Sequence, residues 1–316
     1  MRKILLSTVA LAALAAAGPV LADNNYAYID QIGNGNFNDT AQSGSRNEIT
    51  VTQEGNGNSA SMSQTGTQNG YLDGSVAVDG ISYDSRSFQY QKGNGNSASA
   101  VVSGTKNWSR QTQVGNGNGS VVQQDGTSNQ AVLVQKGTAA KPDVEGNQAY
   151  QQQNGNRNKV NIRHSSNGNL AAQLQSGDDN QAIATSRAGT SKSPGGDNVA
   201  AQAQAGNRNL AQIDQISAGN FAGQIQAGDD NVGGISQEGG TGNFGMQATF
   251  GDVNILDLTQ NGGANISFQY QNGDANNSKV QQFGSQNRSG MSQAGNGNYG
   301  STAQIGNGNQ SAVKQN

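Results

Sequence analysis

The side chains of this chain best placed to do chemistry are carboxamides, and they keep a fixed spacing. Gln31, Gln42, Gln53 and Gln64 stand eleven residues apart, and each opens the phrase Gln-x-Gly-x-x-Asn. The phrase returns at Gln91, Gln113, Gln124, Gln153, Gln175, Gln204, Gln226, Gln260, Gln271, Gln282, Gln293 and Gln304. An amide both donates and accepts hydrogen bonds and does not titrate near neutral pH. Repeated at a constant period, it suits self-recognition: each amide can donate to its copy in one neighbouring unit and accept from the copy in the other. Acid–base or metal chemistry has much less to draw on. His164 is the single histidine and stands eleven residues before Gln175, in a ladder position where an imidazole can replace an amide. It has no cysteine or second histidine to join it in a metal site. Asp178-Asp179 and Asp229-Asp230 lie in Gly-Asp-Asp-Asn turns and read as solvated turn carboxylates, because the calcium-binding Gly-Gly-x-Gly-x-Asp nonapeptide is absent. The Gly-x-Gly elements are followed by no helix pattern, so they make no dinucleotide fingerprint. The residues therefore predict no enzyme, no cofactor and no metal.

The elements that must position these amides are legible in one unit. From Gln53 the chain runs Gln-Glu-Gly-Asn-Gly-Asn-Ser-Ala-Ser-Met-Ser before Gln64. Gly55, Asn56, Gly57 and Asn58 are turn formers, since Gly and Asn tolerate positive φ. The next six residues alternate, with Ala60, Met62 and Gln64 on one face and Ser59, Ser61 and Ser63 on the other. Each unit is thus one short strand and one tight turn, and two units make a coil. Turn sequences support the pairing: Gly-Asn-Gly-Asn at 33–36, 55–58, 93–96 and 115–118 alternates with Gly-Ser-Arg-Asn at 44–47 and its kin at 66–69, 104–107 and 126–129. Further on, the fourth residue after the turn Asn alternates between amide and aliphatic, as in Gln151, Ile162, Gln173, Ala184, Gln202 and Ile213. One side of the coil should carry a Gln column and the other an aliphatic column. The expected fold is all-β, a two-strand-per-coil β-solenoid of about 23 strand-turn units, 11 or 12 coils and roughly 55 Å of stack. It should be able to stack end to end as cross-β amyloid. The glutamines that open the phrase, with Asn36, Asn47, Asn58, Asn96 and Asn118, are its expected structural ladder.

Composition fits this class. Hydrophobic residues make up 32% and charged residues 12% of the 316, with 46 Gly, 3 Pro and no Cys. That is too little aliphatic volume for conventional cores and too little charge and proline for ordinary disorder. Residues 1–22 read as a secretory signal, with basic Arg2 and Lys3, an apolar run from Ile4 to Ala17, and small residues before Asp23. Removing its two basic residues takes the net charge from −3 to −5, which argues against nucleic acid as a partner. No other segment approaches a membrane span. Residues 23–30 form a short leader and 31–316 the repeats, with insertions near 70–86, 138–145 and 189–196 that should loop out at turns. Arg46, Lys106, Arg157, Arg208 and Arg288 sit at turns, while Glu54, Asp125, Glu238 and Asp252 flank strands. Scattered in this way, they fit gatekeepers against self-association or plain solubilising charges. Phe88 and Tyr90, like Phe268 and Tyr270, point outward and read as cross-strand aromatic stacking.

The pattern Gln53-x-Gly55-x-x-Asn58-x-Ala60-x-x-x-Gln64, echoed from Gln91 through Asn96 to Ala98, resembles the curlin repeat of bacterial curli fibre subunits. The resemblance covers nearly all of the mature chain. It implies a secreted amyloid subunit, exported unfolded through outer-membrane machinery and assembling outside the cell, with itself and with a related curlin subunit, into cross-β fibres for adhesion and biofilm matrix. A nucleating minor subunit and a monomeric β-solenoid surface adhesin stay open beside the major subunit. The Gly/Asn-rich leader typical of curlins is longer than residues 23–30, and the units here are about twice the usual number.

Overall fold

The computed structural model describes residues 25–69, 76–78, 81–83, 87–137, 146–187 and 196–316. The secretory signal read over 1–22 and most of the insertions fall outside the described residues. Twenty-four strands divide between two parallel twelve-stranded sheets, one taking the odd and one the even turn of each coil. The first sheet runs β1 (Tyr26–Ile32), β3 (Glu48–Glu54), β7 (Ser87–Lys92), β9 (Trp108–Val114), β11 (Gln130–Lys136), β13 (Lys159–His164) and β15 (Gln181–Arg187). It continues through β17 (Leu210–Ile216), β19 (Val232–Gly239), β21 (Ile255–Gly262) and β23 (Asn277–Phe283) to β25 (Tyr299–Ile305). The second sheet runs β2 (Phe37–Ser45), β4 (Ser59–Thr67), β8 (Ser97–Thr105), β10 (Gly119–Thr127), β12 (Gln148–Asn156), β14 (Leu170–Ser176) and β16 (Val199–Ala205). It continues through β18 (Phe221–Ala227), β20 (Phe244–Phe250), β22 (Ile266–Asn272) and β24 (Arg288–Ala294) to β26 (Gln310–Gln315). The result is a β-solenoid of two strands per coil.

Every rung is in register. Gln31 pairs Gln53, and Gln53 pairs Gln91 although the first large insertion lies between them. Within that insertion β5 (Val76–Val78) and β6 (Ile81–Tyr83) form an antiparallel hairpin separate from both sheets. The leader is shorter than the sequence suggests. Tyr26 to Asp30 already belong to β1 and pair Glu48 to Thr52, because the alternation continues back through them to Asn25.

The strands alternate as the 2-residue period requires: Ser59 to Gln64 run half-buried, buried, half-buried in turn. The largest departure is β9, where Trp108 to Gln113 are all buried. The interior is narrow. The second residue of most strands is small, as at Ala60, Ala98, Ala149, Ala171 and Ala222, because a ladder Gln from the facing strand reaches over it; Ile49, Val160 and Leu256 are larger. A Cβ built on Gly233 would stand 3.1 Å from the Gln226 amide nitrogen, and one on Gly300 would stand 3.1 Å from that of Gln293. In the coils from β7 to β22 the middle of the strand sets an apolar residue against an amide, whereas Val51 faces Met62 and Val280 faces Met291 nearer the ends. Ile162, Ile213, Ile235 and Leu258 line the odd sheet opposite Gln173, Gln224, Gln247 and Gln269 of the even one. Nearer the N-terminus the arrangement is reversed: Gln89 and Gln111 lie in the odd sheet, opposite Ala100 and Val122. The apolar column crosses from one sheet to the other between Val122 and Leu133.

The turns explain the glycine pattern. The first turn Gly has φ near +115° at Gly55, and a Cβ there would lie 2.0 Å from the Gly93 carbonyl oxygen of the next coil. Both conformation and stacking exclude a side chain. The second, Gly57, has φ +63° with open space around it, and sibling turns place Arg46, Gln68 and Lys106 in that conformation. We therefore expect Gly55→Ala to cost about 3 kcal/mol or more and Gly57→Asn to stay within about 0.5 kcal/mol, read by urea denaturation of the folded mature chain.

Candidate functional site

Two kinds of amide column run the length of the stack, one inside the sheets and one at the turns. In the odd sheet Gln31 Nε2 donates to Gln53 Oε1 at 2.6 Å, Gln53 to Gln91 at 2.8 Å, Gln91 to Gln113 at 2.9 Å and Gln113 to Gln135 at 3.0 Å. Beyond an interruption it resumes as Gln215, Gln237, Gln260, Gln282 and Gln304 at 2.8–3.0 Å. In the even sheet Gln42 donates to Gln64, then Gln124, Gln153, Gln175, Gln204 and Gln226 form one run, and Gln271, Gln293 and Gln315 another. The second amide hydrogen crosses the coil: Gln53 donates to the Phe37 carbonyl, Gln113 to Ser97 and Gln204 to Gln181. Each ladder Gln therefore joins neighbouring coils and also the two sheets. The donation has one sense throughout, toward higher residue numbers. A second inner column, Gln151 to Gln269, follows the same sense.

The asparagine columns are unbroken. Asn36 Oδ1 accepts the Asn58 backbone N–H, Asn58 that of Asn96, and Asn96 that of Asn118. At the opposite arc Asn25, Asn47, Asn69 and Asn107 do the same. Their side-chain nitrogens donate onward, Asn47 to Gly66, Asn58 to Gly93 and Asn96 to Gly115, meeting the carbonyl of the first turn glycine one coil along. Asn thus satisfies backbone groups that a tight turn leaves without partners. The same bonding continues to Asn298 and Asn309.

Gln135, Gln215 and Gln237 are ladder members that the phrase Gln-x-Gly-x-x-Asn does not find. Lys136-Gly137 leads from Gln135 into an insertion, Ile216-Ser217 replaces x-Gly after Gln215, and the turn after Gln237 is one residue longer. Spacings of 22 or 23 from the preceding or following ladder Gln would have located them.

Where a ladder position is not Gln, its neighbours show the cost. Val102 and Thr249 interrupt the even column, and the carbonyls of Gln124 and Gln271, next in line, have no partner. His164 sits in register between Gln135 and Ser186, as its spacing indicates, but its imidazole does not replace the amide bond. Both ring nitrogens are buried without a partner, and burial pushes its pKa down to about 3. Ser186 restarts the chain by donating to Gln215.

The turn carboxylates are more than solvated. Arg157 Nε and Nη2 grip Asp179 at 2.8 and 2.7 Å, and Arg208 grips Asp230 at 2.7 Å through both nitrogens. The guanidinium hydrogen bonds hold both carboxyls below their usual range. One register column so reads Arg157, Asp179, Arg208, Asp230, with alternating sign. Beside it Asp229, Asp252 and Asp274 stack like on like, contrary to the scattering expected. Each accepts a backbone N–H from the coil before it, which offsets the repulsion. Phe88 and Tyr90 stack at 6.3 Å, and Phe250 meets Tyr270 at 5.9 Å. Among the described residues no group of acidic, His or Cys side chains is placed to hold a metal, and no helix is long and apolar enough to cross a membrane.

Parallel coils in register, linked by one-way amide ladders, define a two-strand-per-coil β-solenoid. The family model of the curlin associated repeat matches residues 39–66, from within β2 through β4. The matched stretch is thus a curlin associated repeat, and the strands that follow it keep its register in both sheets. No curated protein matches the chain.

Two outcomes test these columns. Gln204→Ala leaves one amide hydrogen of Gln175 and the Gln226 carbonyl without partners and should cost about 2–4 kcal/mol, against under about 1 kcal/mol for Gln31→Ala at the first coil, by chemical denaturation. For His164, the folded pKa lies below the unfolded value of 6.5. Its share of stability is therefore complete above pH 6.5 and lost as pH falls toward 3, by about 1.4 kcal/mol per unit. His164→Gln should remove that slope in denaturation curves taken between pH 7 and pH 4.

Proposed function

We propose that this chain is a secreted subunit of extracellular curli-like amyloid fibres for adhesion and biofilm matrix, growing by head-to-tail addition of copies. The observation that carries the reading is the match between its two end coils. In the strand order of the described residues β1 and β2 stand first, and β25 and β26 last, in their sheets. The ladders run one way, so the first coil presents the acceptor oxygens of Gln31 and Gln42 and the last coil the donor nitrogens of Gln304 and Gln315. Stacked at the ordinary rung spacing of about 4.8 Å, β25 of one copy meets β1 of the next and both glutamine columns continue. The turn columns continue as well, since Asn298 and Asn309 offer side-chain oxygens where Asn25 and Asn36 bring backbone N–H groups.

The exposed apolar residues agree with that junction. Tyr26 and Ile32 on the first coil and Tyr299 and Ile305 on the last are the corresponding positions of their strands, and all four are exposed. Added coils cover each with its counterpart. A preformed edge supplies main-chain hydrogen bonds to the incoming strand and removes the cost of ordering a first coil, so growth should be templated. The role is structural and requires no catalysis. Partners under this reading are further copies, a related curlin subunit and the outer-membrane export machinery.

The test is seeded assembly of the mature chain. Thioflavin-positive fibres should appear after a lag, sonicated fibres should abolish the lag, and diffraction should show spacings near 4.8 and 10 Å. A chain that stays monomeric through the same incubation would overturn the reading.

A further inference from the structure

The two outer faces of the solenoid differ in charge. On the odd sheet the outward positions from β13 to β23 carry Lys159, Arg163, Arg187, Asp214, Glu238, Asp257 and Lys279, with ion pairs joining Arg187 to Asp214 and Lys279 to Asp257. On the even sheet the outward positions of β14, β16, β18, β20 and β22 carry no charged residue at all. Leu174, Ile225, Phe250, Phe268 and Tyr270 there are 40–50% exposed. Charge returns only outside this block, at Asp125 on β10 and Arg288 on β24. We propose that this face docks a second copy of the chain, even sheet against even sheet, making a lateral pair of solenoids.

Size supports a second copy. Five strands at ~4.8 Å and six residue steps at ~3.3 Å give a face of about 24 by 20 Å. Two such faces bury about 1,000 Å², the lower limit for a specific interface. An apolar patch of about 480 Å² is of the size that commonly marks a functional surface.

Shape supports self-pairing. One outward column reads Ala172, Ala201, Gly223, Met246, Phe268 across the five strands, small at one end and large at the other. A two-fold axis along the strands through β18 sets β14 against β22 of the other copy and β16 against β20. Phe268 then covers Ala172, Met246 covers Ala201, and Gly223 lies at the axis beside Met246 and Phe221 of its own chain. In the neighbouring column Ile225 lies on the axis. The alanines of β16 floor a shallow groove of about 240 Å³ between Leu174 and Ile225, which the β20 side chains of the other copy enter. Such an interface is isologous and closes on itself. It uses a sheet face and leaves the coil ends free, so it does not depend on fibre growth.

Sedimentation velocity of the freshly folded mature chain tests it, with Ile225→Lys placing two ammonium groups on the axis. Ser63→Lys, on the polar part of the same sheet, serves as control, and circular dichroism checks the fold of each. The wild type and Ser63→Lys should sediment as dimers at micromolar concentration, and Ile225→Lys should dissociate at least 100-fold more readily. Where fibres form, mass per length should halve in Ile225→Lys. A wild-type monomer overturns the proposal, and one that floats with phosphatidylcholine vesicles gives the face to lipid. Oligomers that persist unchanged in Ile225→Lys are end-to-end stacks and overturn it as well. Loss of fibres with the dimer retained would sink the fibre reading alone.

Discussion

Every feature of this molecule follows from placing like residues one rung apart and keeping them there. At about 4.8 Å between coils, a polar side chain meets its own copy before it meets anything else. An amide is the side chain that profits from this, because it donates on one side and accepts on the other. The glutamines add a second bond across the coil, so the ladder that fixes the register also closes the two sheets on each other. Small residues opposite them, Ala60 or Gly233, are the condition for that reach. A conventional hydrophobic core is replaced by a narrow one in which amide and aliphatic columns face each other.

The asparagines and the first turn glycines form a second system with less tolerance. The Gly55 carbonyl and its equivalents approach the glycine of the coil before so closely that no Cβ fits, and the Asn side chain answers that same row of carbonyls. Glutamine positions admit Val102, His164 and Thr249 at the cost of an unpartnered group, and Ser186 with its own bond to Gln215, whereas the asparagine columns admit no other residue type among the described residues. A lost glutamine rung removes side-chain bonds only. A lost asparagine would leave backbone groups of the turn buried without partners, and those are the groups that proteins most consistently satisfy.

One-way ladders give the solenoid a direction. Donors at one end and acceptors at the other make the ends complementary to each other and not to themselves, the condition for an open, polar stack instead of a closed dimer. The outer faces behave differently, since they are free of the register that governs the interior. There the charges of the odd sheet and the apolar block of the even sheet set what the sides of a stack meet.

The period of the amides, the turn residues and the alternation between them were enough to settle the class of fold, the two strands per coil and the ladder positions from Gln31 to Gln304. Each is a local or periodic property that repeats along the chain. The start of β1 at Tyr26 and the ladder places of Gln135, Gln215 and Gln237 were obscured where a turn departs from its phrase, because register is kept by the stack and not by the turn alone. Three further features belong to the tertiary structure. The apolar column crosses from one sheet to the other between Val122 and Leu133, His164 stands in the ladder without bonding to it, and five apolar strands share one outer face. All three depend on which residues two coils bring together, and strands adjacent in a sheet here lie 22 to 38 residues apart in sequence. Periodicity in one dimension specified the rung, while the contacts between rungs were decided by the stack.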